Sequence, residues 1–166
     1  LLEPITQYGK PIPELLEQLK TYEPRVRYRA RRELWERHQA TVLSETKKWA
    51  SAQTDPLHLC EALWIQESFR SVDVDLLRQI LKSKDFHARA AAMATLSNER
   101  ERVPGAFEML AAGVHDEHPR VRLEAVRAMS FFDSVAAAET ALAVSEHPLD
   151  YWIDSTLEHT LHALEP

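Results

Sequence analysis

The sequence predicts an all-α protein, a right-handed α-solenoid (superhelix) of about five helical hairpins. Three observations predict it. Pro119–Met129 (PRVRLEAVRAM) echoes Pro24–Leu34 (PRVRYRARREL), with Pro, Arg, Val, Arg, Ala and Arg coinciding 95 residues apart. That offset is three crossings of a unit of roughly 32 residues, and an internal period in that range marks stacked repeats. The second helices of successive hairpins are predicted to start at residues 24, 56, 86, 119 and 148, spaced 32, 30, 33 and 29. Apolar residues recur at helical spacing throughout, and no run alternates apolar and polar as a half-buried strand does.

Each hairpin reads as a helix A, a turn and a helix B. Residues 1–12 form a lead-in containing Pro4 and Pro11, and the solenoid occupies 13–166, in repeats of about 13–38, 40–69, 73–98, 104–131 and 133–164. In the first, Pro13 suits an opening helical turn, and Leu15, Leu16 and Leu19 give helix A its stripe. Pro24 then starts helix B, with Val26, Ala30 and Leu34 on one face. The second repeat has Val42, Leu43, Thr46 and Trp49 on helix A; Asp55-Pro56 caps and starts helix B, with Leu59, Leu63 and Gln66. The third has Leu76, Leu77, Ile80 and Leu81, then Asp85 before Ala88, Ala92 and Leu96, with Phe86 in place of proline. The fourth has Phe107, Leu110 and Val114, a turn at Asp116–His118, then Val121, Ala125 and Met129. In the fifth, Val135, Ala138, Leu142 and Val144 are expected to pack, and His147-Pro148 to open a last helix with Tyr151, Trp152, Ser155 and His159. A lone hairpin cannot bury both sides, so stacking supplies the core.

Composition excludes several function classes. One cysteine, Cys60, forbids an internal disulfide and any Cys-x-x-Cys metal or haem attachment motif. Three isolated glycines leave no phosphate-binding loop. There is no run of 18 apolar residues to span a membrane, and the first residues do not read as a signal peptide. The absence of an initiator Met gives the expectation of a segment from a longer or processed protein. Net charge is −6, which disfavours general nucleic-acid binding. The charge is unevenly placed. Lys20–Arg37 carries seven bases against three acids, whereas from Ala128 onward there are seven acids and neither Lys nor Arg.

The pattern apolar-x-x-Leu, acidic turn, Pro-x-Val-Arg-x-x-Ala-x-x-x-Leu resembles a HEAT repeat, an armadillo-like unit, of the short kind also found in phycobilin-lyase-type repeats. The resemblance implies that Arg27, Arg89 and Arg122 brace the turn acids of adjacent repeats, for which Glu23, Asp85 and Asp116 are the candidates. It is good in repeats one, three and four and poor in two and five. A narrower likeness is also present. Tyr22–Arg37, Glu61-Ala62-Leu63-Trp64 and Pro119–Phe132 followed by HPLDYWIDSTLEHTLHALEP resemble the HEAT segment of large exported haem proteins of planctomycete-type bacteria. In those a sugar-dehydrogenase-like propeller precedes the segment and a c-type cytochrome domain follows it. The resemblance implies a periplasmic or exported setting and haem c elsewhere in a parent protein, none in this segment.

For function, the expectation is a non-catalytic scaffold, binding a protein or neighbouring domains of its own chain. Helix B lines the concave side in HEAT-like solenoids, so Arg25, Arg29, Arg32 and Glu36, with Arg120, Glu124 and Arg127, are the candidate interaction residues. Arginine suits carboxylate and phosphate recognition, and nucleic-acid binding through the first-repeat helix is the alternative. Eight histidines invite a metal reading. However, His115 and His118 flank a turn, and His159 and His162 lack the duplicated His-Glu dyad of di-iron HEAT proteins. No metal and no cofactor are therefore expected in this segment. No nucleophile, base and orienting group share a recognisable spacing. Trp35, Trp49, Trp64, Tyr151 and Trp152 are expected to pack between repeats, and Cys60 to be an inert core thiol.

Overall fold

The computed structural model describes residues 5–165. Among them are ten α-helices, a short 3-10 turn and no strand: α1 (Ile12–Gln18), α2 (Pro24–Trp35), α3 (Gln39–Ser51), α4 (Pro56–Ser68), α5 (Val74–Leu81), α6 (Phe86–Asn98), α7 (Ala106–Val114), α8 (Pro119–Met129), α9 (Val135–Leu142) and α10 (Tyr151–Ala163). The chain divides into two compact units, one up to Leu76 and the other from Leu77. Of the predicted lead-in, residues 1–4 lie outside the described residues. The rest is tied to α1 through Gln7, whose amide donates to Gln18 Oε1 at 3.0 Å.

Local chemistry starts these helices. Glu23, Asp55, Asp85, His118, Ser134 and Asp150 each cap a helix, the side chain accepting from a backbone N–H two or three residues on. Such a cap satisfies one of the orphan donors of a helix N-terminus. Proline follows at the first position of α2, α4 and α8, where its missing N–H costs nothing.

In the first unit α1 packs on α2, α3 on α4, and like helices stack, α1 on α3 and α2 on α4. The core is Leu15, Leu16, Leu19, Val26, Ala30, Leu34, Val42, Leu59, Ala62, Leu63 and Ile65, all buried. In the second unit α8 is the hub and touches α6, α7, α9 and α10. Ala92 and Ala125 have no exposed surface, and small residues there let helices approach closely. Gly113 is held to the same need. A Cβ there would lie 2.5 Å from Met93 Cε and 3.0 Å from Ala125 Cβ.

The fifth hairpin differs from its sequence reading. The last helix opens at Tyr151, capped by Asp150, and not at His147-Pro148, which lie outside any helix, His147 being extended after the 3-10 turn Ala143–Glu146. Its start fixes its phase, and Ile153, Leu157 and Thr160 face inward. Tyr151, Trp152 and His159 are exposed. In α9 the Ser134 cap likewise sets the phase. Ala137 and Ala141 are buried, while Val135 and Leu142 are exposed.

Candidate functional site

The arginine that follows Val in the repeat motif has a common task. Arg27 Nη1 donates to the carbonyls of Thr21 and Tyr22, both at 2.8 Å. Arg89 Nη1 donates to Ser83 and Lys84 at 2.8 and 3.3 Å. Arg122 Nη1 donates to Asp116 and Glu117 at 2.9 and 3.1 Å. In all three the guanidinium reaches back five and six residues and ties the A–B turn to its own helix B. Hydrogen bonds from a charged donor to otherwise orphaned carbonyls stabilise by about 1.5–3 kcal/mol.

Acid partners divide the three. Arg89 also makes a bidentate pair with Asp116 of the following repeat, both contacts 2.8 Å. Burial pushes the Asp116 carboxyl up, but Arg89 and the His118 backbone N–H together hold it below its ordinary 3.8. Arg27 does not reach Glu23, whose carboxylate is occupied capping Arg25 N–H. It lies instead 3.3 Å from Glu61, a buried carboxylate on α4 that also receives Arg31 at 3.0 Å. Arg122 finds no turn acid, and its second amino group approaches the Pro148 carbonyl at 3.5 Å. Asp85 caps His87 and meets its ring. Glu61 and Arg31 were missed from sequence. Their signal is an opposite charge about one repeat period away, 34 and 30 residues from Arg27 and Arg31 respectively. Burial pushes the Glu61 carboxyl above its ordinary 4.5, against the pull of Arg31 and Arg27.

The candidate interaction residues fall into two groups of different character. On α2, Arg25, Arg29, Arg32 and Glu36 are all exposed. Arg32 pairs with Glu36 at 3.7 Å; Arg25 and Arg29 have no ion-pair partner among the described residues. On α8, Glu124 is 8% exposed and is clamped between Arg120 at 2.8 Å and Arg127 at 3.2 Å. It is a largely buried counter-charge to these two partly exposed arginines. Arg127 and Arg100 flank the exposed ring of Phe131, 5.9 and 4.7 Å from its centroid.

The tryptophans do not behave as one group. Trp49 is buried and its indole N–H donates to Glu17 at 2.8 Å. Trp35 is 63% exposed and Trp152 68%. Both line grooves between successive B helices. A cavity of about 340 Å³ between α2 and α4 is lined by Tyr28, Arg31, Arg32, Trp35 and Trp64. One of about 490 Å³ between α8 and α10 is lined by His118, Arg120, Leu123, Asp150 and Trp152. Trp64 is half-buried beneath Arg31, 5.8 Å from ring centroid to guanidinium carbon. Cys60 is buried. The histidines scatter: His115 faces Glu146, His159 turns to its own helix and His162 to Glu165. Among the described residues no group of three or more metal-ligating side chains converges.

Capped helical hairpins whose B helices are tied to their turns by a recurring arginine define a helical-repeat protein. The family model for HEAT repeats matches residues 74–161, more than half of the chain. The chain belongs to the HEAT-repeat family. No curated protein matches it. HEAT repeats generally serve protein–protein interaction or scaffolding, and the family is typically non-catalytic. No helix among the described residues is long and apolar enough to cross a membrane.

Proposed function

We propose that this chain is a non-catalytic interaction domain that holds a protein partner, or a neighbouring domain of its own polypeptide, against the exposed faces of its B helices. One observation carries the reading. Arg25 and Arg29, without ion-pair partners among the described residues, share α2 with the exposed rings of Tyr28 and Trp35, which line the α2–α4 groove together with Arg32. Aromatic rings with arginine are the side chains on which binding energy concentrates, and an arginine with no internal partner is available to an acidic group outside.

A photo-crosslinking side chain at Tyr28 of the full gene product tests this. Crosslinks to a second protein or another domain should form there and be lost on Trp35→Ala. Equal crosslinking from the exposed positions Ser44 and Glu139, or none at Tyr28, would overturn it. The narrower form is a spacer between dehydrogenase and c-type cytochrome modules of an exported redox protein, and it rests on the resemblance of Tyr22–Arg37 and the C-terminal segment. A gene whose product has no Cys-x-x-Cys-His motif after this segment would end it. The arginine stripe of α2 supports a second reading, nucleic-acid binding. That reading requires salt-sensitive affinity weakened by Arg29→Glu with Arg32→Glu.

A further inference from the structure

The two chain ends differ in charge as well as in place. On α2, Arg25, Arg29 and Arg32 form one stripe, at the spacing that puts residues on one helical face, and Tyr28 and Trp35 edge it. On α10, Asp154 and Glu158 lie one turn apart, exposed, with Asp150 one turn before them. Tyr151 and Trp152 flank them, 75% and 68% exposed. Neither Asp154 nor Glu158 has an ion-pair partner among the described residues. The α10 hairpin also exposes Val135, Leu142 and Leu149. Terminal repeats of a stack need a polar outer face if they are to face water, and this hairpin has an acidic and aromatic one.

We infer that the occupant of the α2 face is the α10 face of a second copy of this chain, giving head-to-tail association. This rests on the interaction-domain reading above and names its partner. Charge complementarity argues for it: a basic stripe on one helix in which Arg25 and Arg29 have no ion-pair partner among the described residues and Arg32 has only the exposed Glu36, an acidic stripe on another whose Asp154 and Glu158 have none, and exposed aromatic rings beside both. The contact joins two different patches, so it is heterologous and does not stop at a dimer unless a ring closes. Opposed charges speed encounter and fix register, and salt screens them.

Sedimentation of the whole chain over a range of concentrations tests this. The average mass of the wild type should climb past that of a dimer as concentration rises, then fall back to the monomer in ~1 M NaCl, where the screening length is about 3 Å. Arg29→Ala with Arg32→Ala leaves α10 intact, and Asp154→Ala with Glu158→Ala leaves α2 intact. Each variant alone should stay monomeric. Mixed, they should give a one-to-one heterodimer and nothing larger, because each supplies the face the other lacks. Circular dichroism confirms that both are folded. A wild type that stays monomeric at every concentration overturns the inference, as do variants that assemble like the wild type or a mixture that does not pair. A monomeric wild type whose Tyr28 crosslinks to another protein would sink self-association and leave the interaction domain standing.

Discussion

Helices α2 and α8 share six motif residues and differ in almost everything around them. α8 is surrounded by α6, α7, α9 and α10, whereas α2 packs on α1 and α4. Both bury the motif stripe, Val26, Ala30 and Leu34 in one and Val121, Ala125 and Met129 in the other. α8 also buries Arg122, Glu124, Val126 and Ala128. The positions that match Arg31 and Glu33 of α2 hold Val126 and Ala128 in α8. The shared letters build a hairpin, and the letters between them set how many neighbours the helix accepts. At those positions α2 instead carries charges that pair within its own unit, Arg31 with Glu61 and Glu33 with Arg37.

The sharpest way to break this comparison is a buried charge. Ala125→Asp puts a carboxylate at a fully buried position of α8, against Gly113 of α7, and should cost about 4 kcal/mol. Ala30→Asp on α2 should cost less, about 2–3 kcal/mol, because fewer neighbours exclude water and Arg27 and Arg31 are near in sequence. Urea unfolding of the two variants measures both. Equal losses would mean that α2 is enclosed as tightly as α8.

The turn arginines come next. Arg122→Ala should cost about 2 kcal/mol, since its two turn carbonyls lose a charged donor in a buried setting. Arg27→Ala should cost about 1 kcal/mol, because its turn is more exposed and Glu61 keeps Arg31. Thermal unfolding of the two variants separates them, and a costlier Arg27→Ala would show that Glu61 depends on both arginines.

What could be read from sequence follows the same division. The helix starts at Pro24, Pro56, Phe86 and Pro119 were legible because a capping acid or a proline marks them locally. The last helix was misplaced because His147-Pro148 imitates that mark and Asp150 supplies the working cap three residues later. The phase error then exchanged Tyr151 and Trp152 for Ile153 and Leu157 as the buried set. The site was less legible than the fold. A helical stripe tells which residues leave the core, but it does not tell Glu124, shut between two arginines, from Arg29, open to solvent. Both arginines are local to Glu124, at i−4 and i+3, but its burial comes with the helices packed around α8, which a local pattern does not contain.

The two acids at the inter-repeat pairs make opposite contributions to the pH dependence of stability. Asp116 is held below its ordinary 3.8 in the folded chain. Its contribution to stability is therefore complete above that value and is lost as pH falls through the lowered one. Glu61 is held above its ordinary 4.5. Its contribution is complete below that value and is lost as pH rises through the raised one. Asp116→Asn should therefore flatten the loss of stability on acidification below pH 3.8, and Glu61→Gln should reduce any loss on raising pH above 4.5. Unfolding free energies at a series of pH values reaching below 3.8 and above 4.5 read both. The same sign for the two variants would contradict the burial of Glu61.

The smallest effect on stability is expected where the effect on binding is largest. Trp35 is 63% exposed, and Trp35→Ala removes a ring that covers little of its own core. Its unfolding free energy should stay within about 0.5 kcal/mol of the wild type. Trp49→Ala, at 8% exposure and with an indole bonded to Glu17, should cost about 3 kcal/mol by the loss of a buried aromatic. The contrast separates the two uses of tryptophan in one unit. If Trp35→Ala proved as costly as Trp49→Ala, the ring would be a structural part of the α2–α4 groove, and the exposed face of α2 would lose its strongest claim to a partner.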